Sequence, residues 1–339
     1  MTSSTGVRTV TAERTPLDLT PAPLPPDVSV LVPAKDEAEN LTLFMELAAQ
    51  AFASSPHTYE VIVVDDGSVD ATWPTLEALA ERFPFLRMAR HRSRRGIADA
   101  LRTGYLTARG RVLVFYPADL QFKPEDIPRL VEPILAGTAD MVTGFKEGVY
   151  EKAFVSGVYN RLSRALFHVP VKDLNSVKAY RREIMDVLPV RPDWHRYMVV
   201  IAASQGFSVT EIPVPLYPRH AGKSKFATWH RIPVGVLDML SVWFELRFSQ
   251  KPLLLFGMLG AGLFAVSTVV GIVALVFARS IAVRPLWTVI QTCLILGSVF
   301  FATGLLGEQI AGQRAQLREI RRQLDDLAAH PTRARDQES

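Results

Sequence analysis

The sequence predicts an α/β domain on a mostly parallel sheet, followed by an interfacial helix and two membrane-crossing helices. Three observations carry that expectation. Short β-branched runs alternate with amphipathic segments through the first half of the chain, as in sheets whose strands are joined by crossover helices. One run, Val61-Ile-Val-Val64, is wholly apolar and ends in Asp65-Asp66-Gly67-Ser68, so carboxylates stand where open α/β sheets take their ligands. The last third holds two runs free of charge, Leu253 to Ala278 and Pro285 to Gly307. Each exceeds the roughly 20 residues that cross a bilayer as a helix.

In chain order, residues 1–27 are rich in Thr, Pro and Ser without hydrophobic periodicity and read as a flexible tail. The α/β head is expected over residues 28–227. Its strands are expected at Val28–Pro33, Glu60–Val64, Leu86–Arg90, Val112–Tyr116 and Met141–Gly144, with amphipathic segments near 38–52, 70–82, 96–108 and 125–136. The first strand closes on Pro33, and Asp36, Glu37 and Glu39 then suit the positive end of a helix. No G-x-G-x-x-G follows it, which argues against a dehydrogenase-type dinucleotide site.

Residues 228–250 form the next unit. Within it, His230–Phe248 gathers Arg231, Asp238, Ser241 and Glu245 on one stripe of an otherwise apolar helix, the pattern of a helix lying in a membrane interface or of an ordinary helix packed on the head. A membrane hairpin over residues 251–309 follows, with spans at about 253–278 and 285–307. Its short link carries only Arg279 and Arg284, whereas Arg231, Arg247, Lys251, Arg314, Arg318, Arg321 and Arg322 flank the outer ends. Basic flanks stay inside, so the head and both termini are expected on the cytoplasmic face of the cell membrane. The last unit, residues 310–339, reads as a cytoplasmic C-terminal helix and tail, in which Ile310, Leu317, Ile320, Leu324 and Leu327 keep a heptad-like spacing that could join subunits in a homo-oligomer.

The formal charge of +4 and pI of about 9.2 favour anionic partners such as phosphates or a membrane surface. No zinc-finger, helix-turn-helix or RNP pattern supports nucleic-acid binding. Cys293 is the only cysteine, so an intrachain disulfide is impossible. The first residues show no apolar signal-peptide core.

Chemistry-bearing residues cluster at strand ends. Asp65 and Asp66 suit ribose hydroxyls and base edges, with Glu37 expected at the neighbouring strand end; a phosphate would call for backbone donors or cations. At the fourth strand end, Pro117-Ala118-Asp119-Leu120-Gln121 offers a carboxylate and an amide oxygen, hard ligands for a cation such as Mg²⁺. Arg219, Lys223 and Lys225 surround Gly222 just before the expected interfacial helix, a loop able to close over diphosphate and lipid phosphate.

Taken in order, VPAKDEAENL, VVDDGSVDAT, RGIADALRTGYLTARG and PADLQF resemble the family 2 glycosyltransferases of the GT-A fold. More narrowly the chain is similar to the polyprenyl-phosphate (dolichol-phosphate-type) hexose synthases with a two-helix membrane anchor, over about residues 28–310. The resemblance implies a nucleoside pocket lined by Pro33, Ala34, Glu37, Val64, Asp65 and Asp66. It implies that Ala118, Asp119, Gln121, Lys146, Arg219 and Lys225 complete the donor site, and that Asp119 and Gln121 hold Mg²⁺ or Mn²⁺. Asp119, Asp173, Arg219 and Lys225 are the implied catalytic set. Asp173 and Ser176 match the family's Asp–Ser pair ahead of the basic strand at Lys178, and His195-Arg196-Tyr197 matches the pattern before the Gly206 turn. The implied reaction moves one hexose, with inversion, from a UDP- or GDP-sugar to a polyprenyl phosphate.

One departure stands out: Pro117 replaces the first Asp of the family's D-x-D motif. A processive polysaccharide synthase is the competing enzyme reading, but its Gln-x-x-Arg-Trp motif is absent. A membrane scaffold that kept the fold without catalysis is the other competitor, and a nucleotidyltransferase, for which the amino-terminal basic Gly-rich loop is missing, is more distant.

Overall fold

The computed structural model describes residues 24–147, 161, 166–167, 171–174, 176–188, 194–221, 231–248, 251–277 and 283–329. The head alternates as expected: β1 (Val28–Ala34), α1 (Ala38–Ala53), β2 (Tyr59–Asp65), α2 (Thr72–Arg82), β3 (Leu86–Arg90), α3 (Ile97–Thr107), β4 (Val112–Phe115), α4 (Ile127–Leu135) and β5 (Met141–Glu147). Then come β6 (Lys178–Arg181), α5 (Glu183–Val187), a 3₁₀ turn at Trp194–Tyr197, α6 (Met198–Ser204) and β7 (Val209–Pro215).

These strands form one seven-stranded sheet in the order β3-β2-β1-β4-β6-β5-β7, in which β6 runs antiparallel to both neighbours. The chain steps outward from β1 through β2 to β3, then returns to place β4 on the other side of β1. The carboxyl ends of β1 and β4 therefore flank a topological switch point, where a crevice opens. The carboxyl ends of β2, β5 and β7, and the amino end of β6, lie along the same sheet edge.

Every residue of β2 is buried, as expected for a strand covered on both faces. One core layer lies under α1, α2 and α4, with Phe44, Leu76, Ile127 and Tyr116; the other holds Leu31, Ile62, Leu113, Tyr180 and Val199. The helix α7 (Arg231–Phe248) docks on the head through Met239 and Val242, which meet Tyr197 and Ile201, while Gly235 accepts a hydrogen bond from the Tyr197 hydroxyl. Its other side leaves Val236, Leu237 and Leu240 exposed, so it carries two apolar surfaces and only one rests on protein.

The last two helices are α8 (Pro252–Val276) and α9 (Val283–Ala329). Both contain stretches long and apolar enough to cross a membrane, and only 17% and 11% of those stretches is buried. A soluble protein's core helix would be mostly covered, so this pair has the exposure of a membrane hairpin. Glycines let the backbones approach: a Cβ on Gly260 would lie 2.8 Å from the Gly297 carbonyl oxygen. The helix of the second apolar stretch joins the expected carboxyl-terminal helix without a break, running on into the polar heptad region.

Candidate functional site

Three groups of side chains line the common sheet edge. The first is at the ends of β1 and β2. Lys35 Nζ donates to the Gly67 carbonyl at 2.8 Å, and the Asp36 N–H donates to Ser68 Oγ at 2.8 Å. Asp65 is fully buried, ion-pairs with Arg90 Nε at 3.0 Å and accepts from the Ser68 N–H at 2.8 Å. Asp66 accepts from the Arg95 and Gly96 amides at 2.7 and 2.8 Å and lies 2.8 Å from His91 Nδ1. Burial pushes the Asp66 carboxyl up, but His91 and the two amides outweigh it and leave its pKa below the ordinary 3.8. Gly67 adopts φ +70°, and a Cβ there would lie 2.8 Å from the Ser93 carbonyl carbon, so only glycine fits this crossing.

The second group surrounds the β4 turn. Leu120 holds a positive φ of 56°, costly for a γ-branched residue, and Asp36 across the switch point holds 50°. Ala118, Leu120 and Phe122 point into the core, which turns Asp119 and Gln121 toward the crevice. Arg219 Nη2 lies 2.9 Å from Asp119 Oδ2 and 3.3 Å from Gln121 Oε1. The exit of β7 is fastened to this turn by the Tyr217 N–H donating to the Gln121 carbonyl at 2.9 Å, and Lys123 sits 4.5 Å from the Tyr217 ring centroid. Burial pushes Asp119 up; Arg219 and the Gln121 amide oppose that, and Glu37 reinforces it.

The third group lies where β5 and β6 meet. Lys146 Nζ pairs with Asp173 Oδ2 at 3.1 Å. Lys178 is 1% exposed, donates to the Ser176 carbonyl at 2.7 Å and lies 5.9 Å from the Phe115 ring centroid. Burial lowers its pKa to about 7; Asp173 opposes this, while Lys146 and Arg196 add to it. The imidazole of His195 is edge-on to Phe115, and burial with Arg196 and Lys178 lowers its pKa to about 3, so it is neutral. Glu211 on β7 accepts from the Lys172 and Asp173 amides and thereby fixes the backbone beneath the Asp173 carboxylate.

The structure thus brings Pro33, Ala34, Glu37, Val64, Asp65, Asp66, Ala118, Asp119, Gln121, Lys146, Asp173 and Arg219 to one edge. Lys223 and Lys225 lie outside the described residues. The Asp65 carboxylate is buried and paired with Arg90. Sequence reasoning missed His91 as the partner of Asp66, and missed Lys178 as a buried cation. The signal for Lys178 was a lysine opening a strand that is otherwise buried.

The sequence matches Glycosyl transferase family 2 over residues 29–183. Across 298 residues it is 31% identical to the dodecaprenyl-phosphate galacturonate synthase of Rhizobium johnstonii, covering 84% of this chain and 88% of that protein. The chain belongs to glycosyl transferase family 2. It is 28% identical over 299 residues to an undecaprenyl-phosphate 4-deoxy-4-formamido-L-arabinose transferase of Pseudomonas fluorescens, covering 86% and 87% of the two chains. The fold matches that of Mycobacterium tuberculosis glucosyl-3-phosphoglycerate synthase, solved with Mn²⁺, UDP and glucosyl-3-phosphoglycerate, with a TM-score of 0.51 at 18% identity over 65% of this chain and 80% of that one. The same neighbour was also solved with Mg²⁺ and UDP.

Those neighbours hold a divalent ion, so the donor set here bears on the same question. Of the three side-chain oxygens that Asp119 and Gln121 offer, Asp119 Oδ2 and Gln121 Oε1 face Arg219 Nη2, Asp119 Oδ1 accepts from the Gln121 N–H at 3.2 Å, and position 117 is proline. Among the described residues no cluster of three or more His, Cys, Asp or Glu is arranged for a metal. These residues do not fit a cation held firmly by the protein, and the expectation of a metal gripped by Asp119 and Gln121 meets an arginine already in that place.

Proposed function

We propose that this glycosyltransferase moves one sugar from a nucleoside-diphosphate donor to a polyprenyl phosphate, giving a lipid-phosphate sugar with inverted anomeric configuration. The observation that carries the reading is spatial. A carboxylate-lined crevice and the Lys146, Lys178 and Arg196 cations share one sheet edge, and α7 beside them presents Val236, Leu237 and Leu240 outward ahead of the hairpin. The names of the relatives from Rhizobium johnstonii and Pseudomonas fluorescens support the same acceptor class.

In this reading the nucleoside sits between the β1 and β2 ends, against Pro33, Ala34, Glu37, Val64 and the Asp66 turn. The diphosphate reaches the β4 turn and Arg219. The acceptor phosphate enters from α7 toward Lys146 and Lys178, and Asp173 orients it. An oxygen of that phosphate attacks the anomeric carbon as the bond to the donor diphosphate breaks, and the electron pair leaves with the nucleoside diphosphate. The second pKa of a phosphate monoester is about 6, so the attacking oxygen needs no strong base. Buried cations and alignment of the two phosphates supply the stabilisation.

In this reading the head and both termini lie on the cytoplasmic side, with α7 in the interface; the basic residues that flank the outer ends of the hairpin support it. The test incubates the detergent-purified full chain with a panel of radiolabelled UDP- and GDP-sugars and undecaprenyl phosphate. Label extracted into the lipid phase with one sugar per lipid is expected. A polymer, or free nucleotide without lipid-borne label, refutes the acceptor assignment.

A further inference from the structure

The departure from the family's D-x-D motif is Pro117, in Pro117-Ala-Asp119-Leu-Gln121. Replacing a carboxylate by proline removes an anionic ligand and supplies none. In the structure, Asp119 Oδ2 and Gln121 Oε1 lie 2.9 and 3.3 Å from one nitrogen, Arg219 Nη2, and the remaining carboxylate oxygen, Asp119 Oδ1, accepts from the Gln121 N–H at 3.2 Å. We propose that Arg219 stands in for the divalent ion, so that the donor diphosphate is bound by a guanidinium fixed on Asp119 and Gln121 and needs no metal. This rests on the nucleoside-diphosphate donor assigned above.

Geometry and charge both support the substitution. A guanidinium has five N–H donors in a rigid fork, and Asp119 and Gln121 engage only the Nη2 corner. The remaining edge matches the bidentate geometry of phosphate oxygens. Asp119 orients the arginine without a second carboxylate at 117 to compete for it, and an aspartate at 117 would add negative charge beside an incoming diphosphate. Arg219 is also placed before any ligand arrives. The Tyr217 amide bond to Gln121 and the stacking of Lys123 on Tyr217 hold the segment that carries it. A preplaced cation loses little conformational freedom on binding.

The experiment measures UDP and GDP binding to the full-length protein in detergent by isothermal titration calorimetry, in EDTA and in Mn²⁺, with free Mn²⁺ followed by electron paramagnetic resonance. For the preferred nucleotide, the dissociation constants with and without metal are expected to agree within about threefold, under 1 kcal/mol. Arg219→Lys keeps the charge but loses the fork, and is expected to weaken binding by about tenfold or more in both buffers. Pro117→Asp is expected to create Mn²⁺ dependence, with nucleotide-dependent loss of the free Mn²⁺ signal. Wild-type binding that collapses in EDTA and returns with one Mn²⁺ per chain overturns the inference and leaves the donor assignment standing. Failure of both nucleotides to bind in either buffer removes the donor assignment and this inference with it.

Discussion

Replacing Lys178 with methionine should make the head more stable and the enzyme slower. The lysine is 1% exposed, and its charged form faces Lys146 and Arg196 with Asp173 as the opposing carboxylate, beside the neutral His195. Its pKa falls from the ordinary 10.5 to about 7. At 1.36 kcal/mol per pKa unit that difference is a folding penalty of at most about 5 kcal/mol near neutral pH. The unfolded chain binds the proton more tightly than the folded one between pH 7 and 10.5, so stability rises with pH across that window and levels off above it. Methionine has similar length and no charge, and loses the hydrogen bond to the Ser176 carbonyl, worth about 1 kcal/mol, together with the ammonium's approach to the Phe115 ring. Allowing for relaxation around a buried charge, Lys178→Met should gain about 2 kcal/mol or more at pH 7, and the gain should shrink toward pH 10. Tryptophan-fluorescence unfolding of both proteins in detergent, repeated across that range, reads the difference. A variant that is less stable at pH 7, or a gain that does not depend on pH, refutes the reasoning. Transfer to lipid should fall in the same variant, because the buried positive charge is retained for the acceptor phosphate.

Asp66→Ala should cost about 2–4 kcal/mol, because it leaves His91 and the Arg95 and Gly96 amides without their acceptor; a thermal midpoint equal to wild type would remove that role. Since the folded Asp66 pKa lies below 3.8, its stabilisation persists above that pH and is lost as acid carries the protein through the lower folded value, which an acid titration of far-UV circular dichroism reads. Gly67→Ala combines a positive φ with a 2.8 Å approach to Ser93, and should destabilise by about 2 kcal/mol or more and weaken nucleotide binding in a calorimetric titration. Met239→Asp places a charge in the α7 seam and should lower lipid-product formation more than nucleotide affinity; equal losses in both would show a general unfolding.

The first five strands were legible because each is a short apolar run between polar turns, and their observed limits lie within a few residues of expectation. Strand β7 was not legible, since Val209–Pro215 is half-buried, carries two prolines and shows no clean alternation. The antiparallel course of β6 has no local signature: four residues cannot encode direction, which is set by the connection preceding them. Site residues at strand ends could be read from the chemistry of Asp65, Asp66, Asp119 and Gln121. What they touch could not, because His91 reaches Asp66 across 25 residues and Arg219 reaches Asp119 across a hundred. That the apolar helix and the carboxyl-terminal helix join as one α9 was not legible, because hydropathy marks where lipid should end, and a helix ends only where backbone bonding fails.

That continuity has a mechanical consequence. A helix of 47 residues is a rod about 70 Å long, and Arg314, beyond the apolar stretch, lies 3.3 Å from Glu245 on α7. In the membrane placement proposed above, rod and collar together would brace the crevice against tilting, at one height and inclination above the bilayer plane. On that proposal an acceptor of any prenyl length would offer its headgroup at the same level, and tail length would be a matter for the lipid rather than for the enzyme's reach.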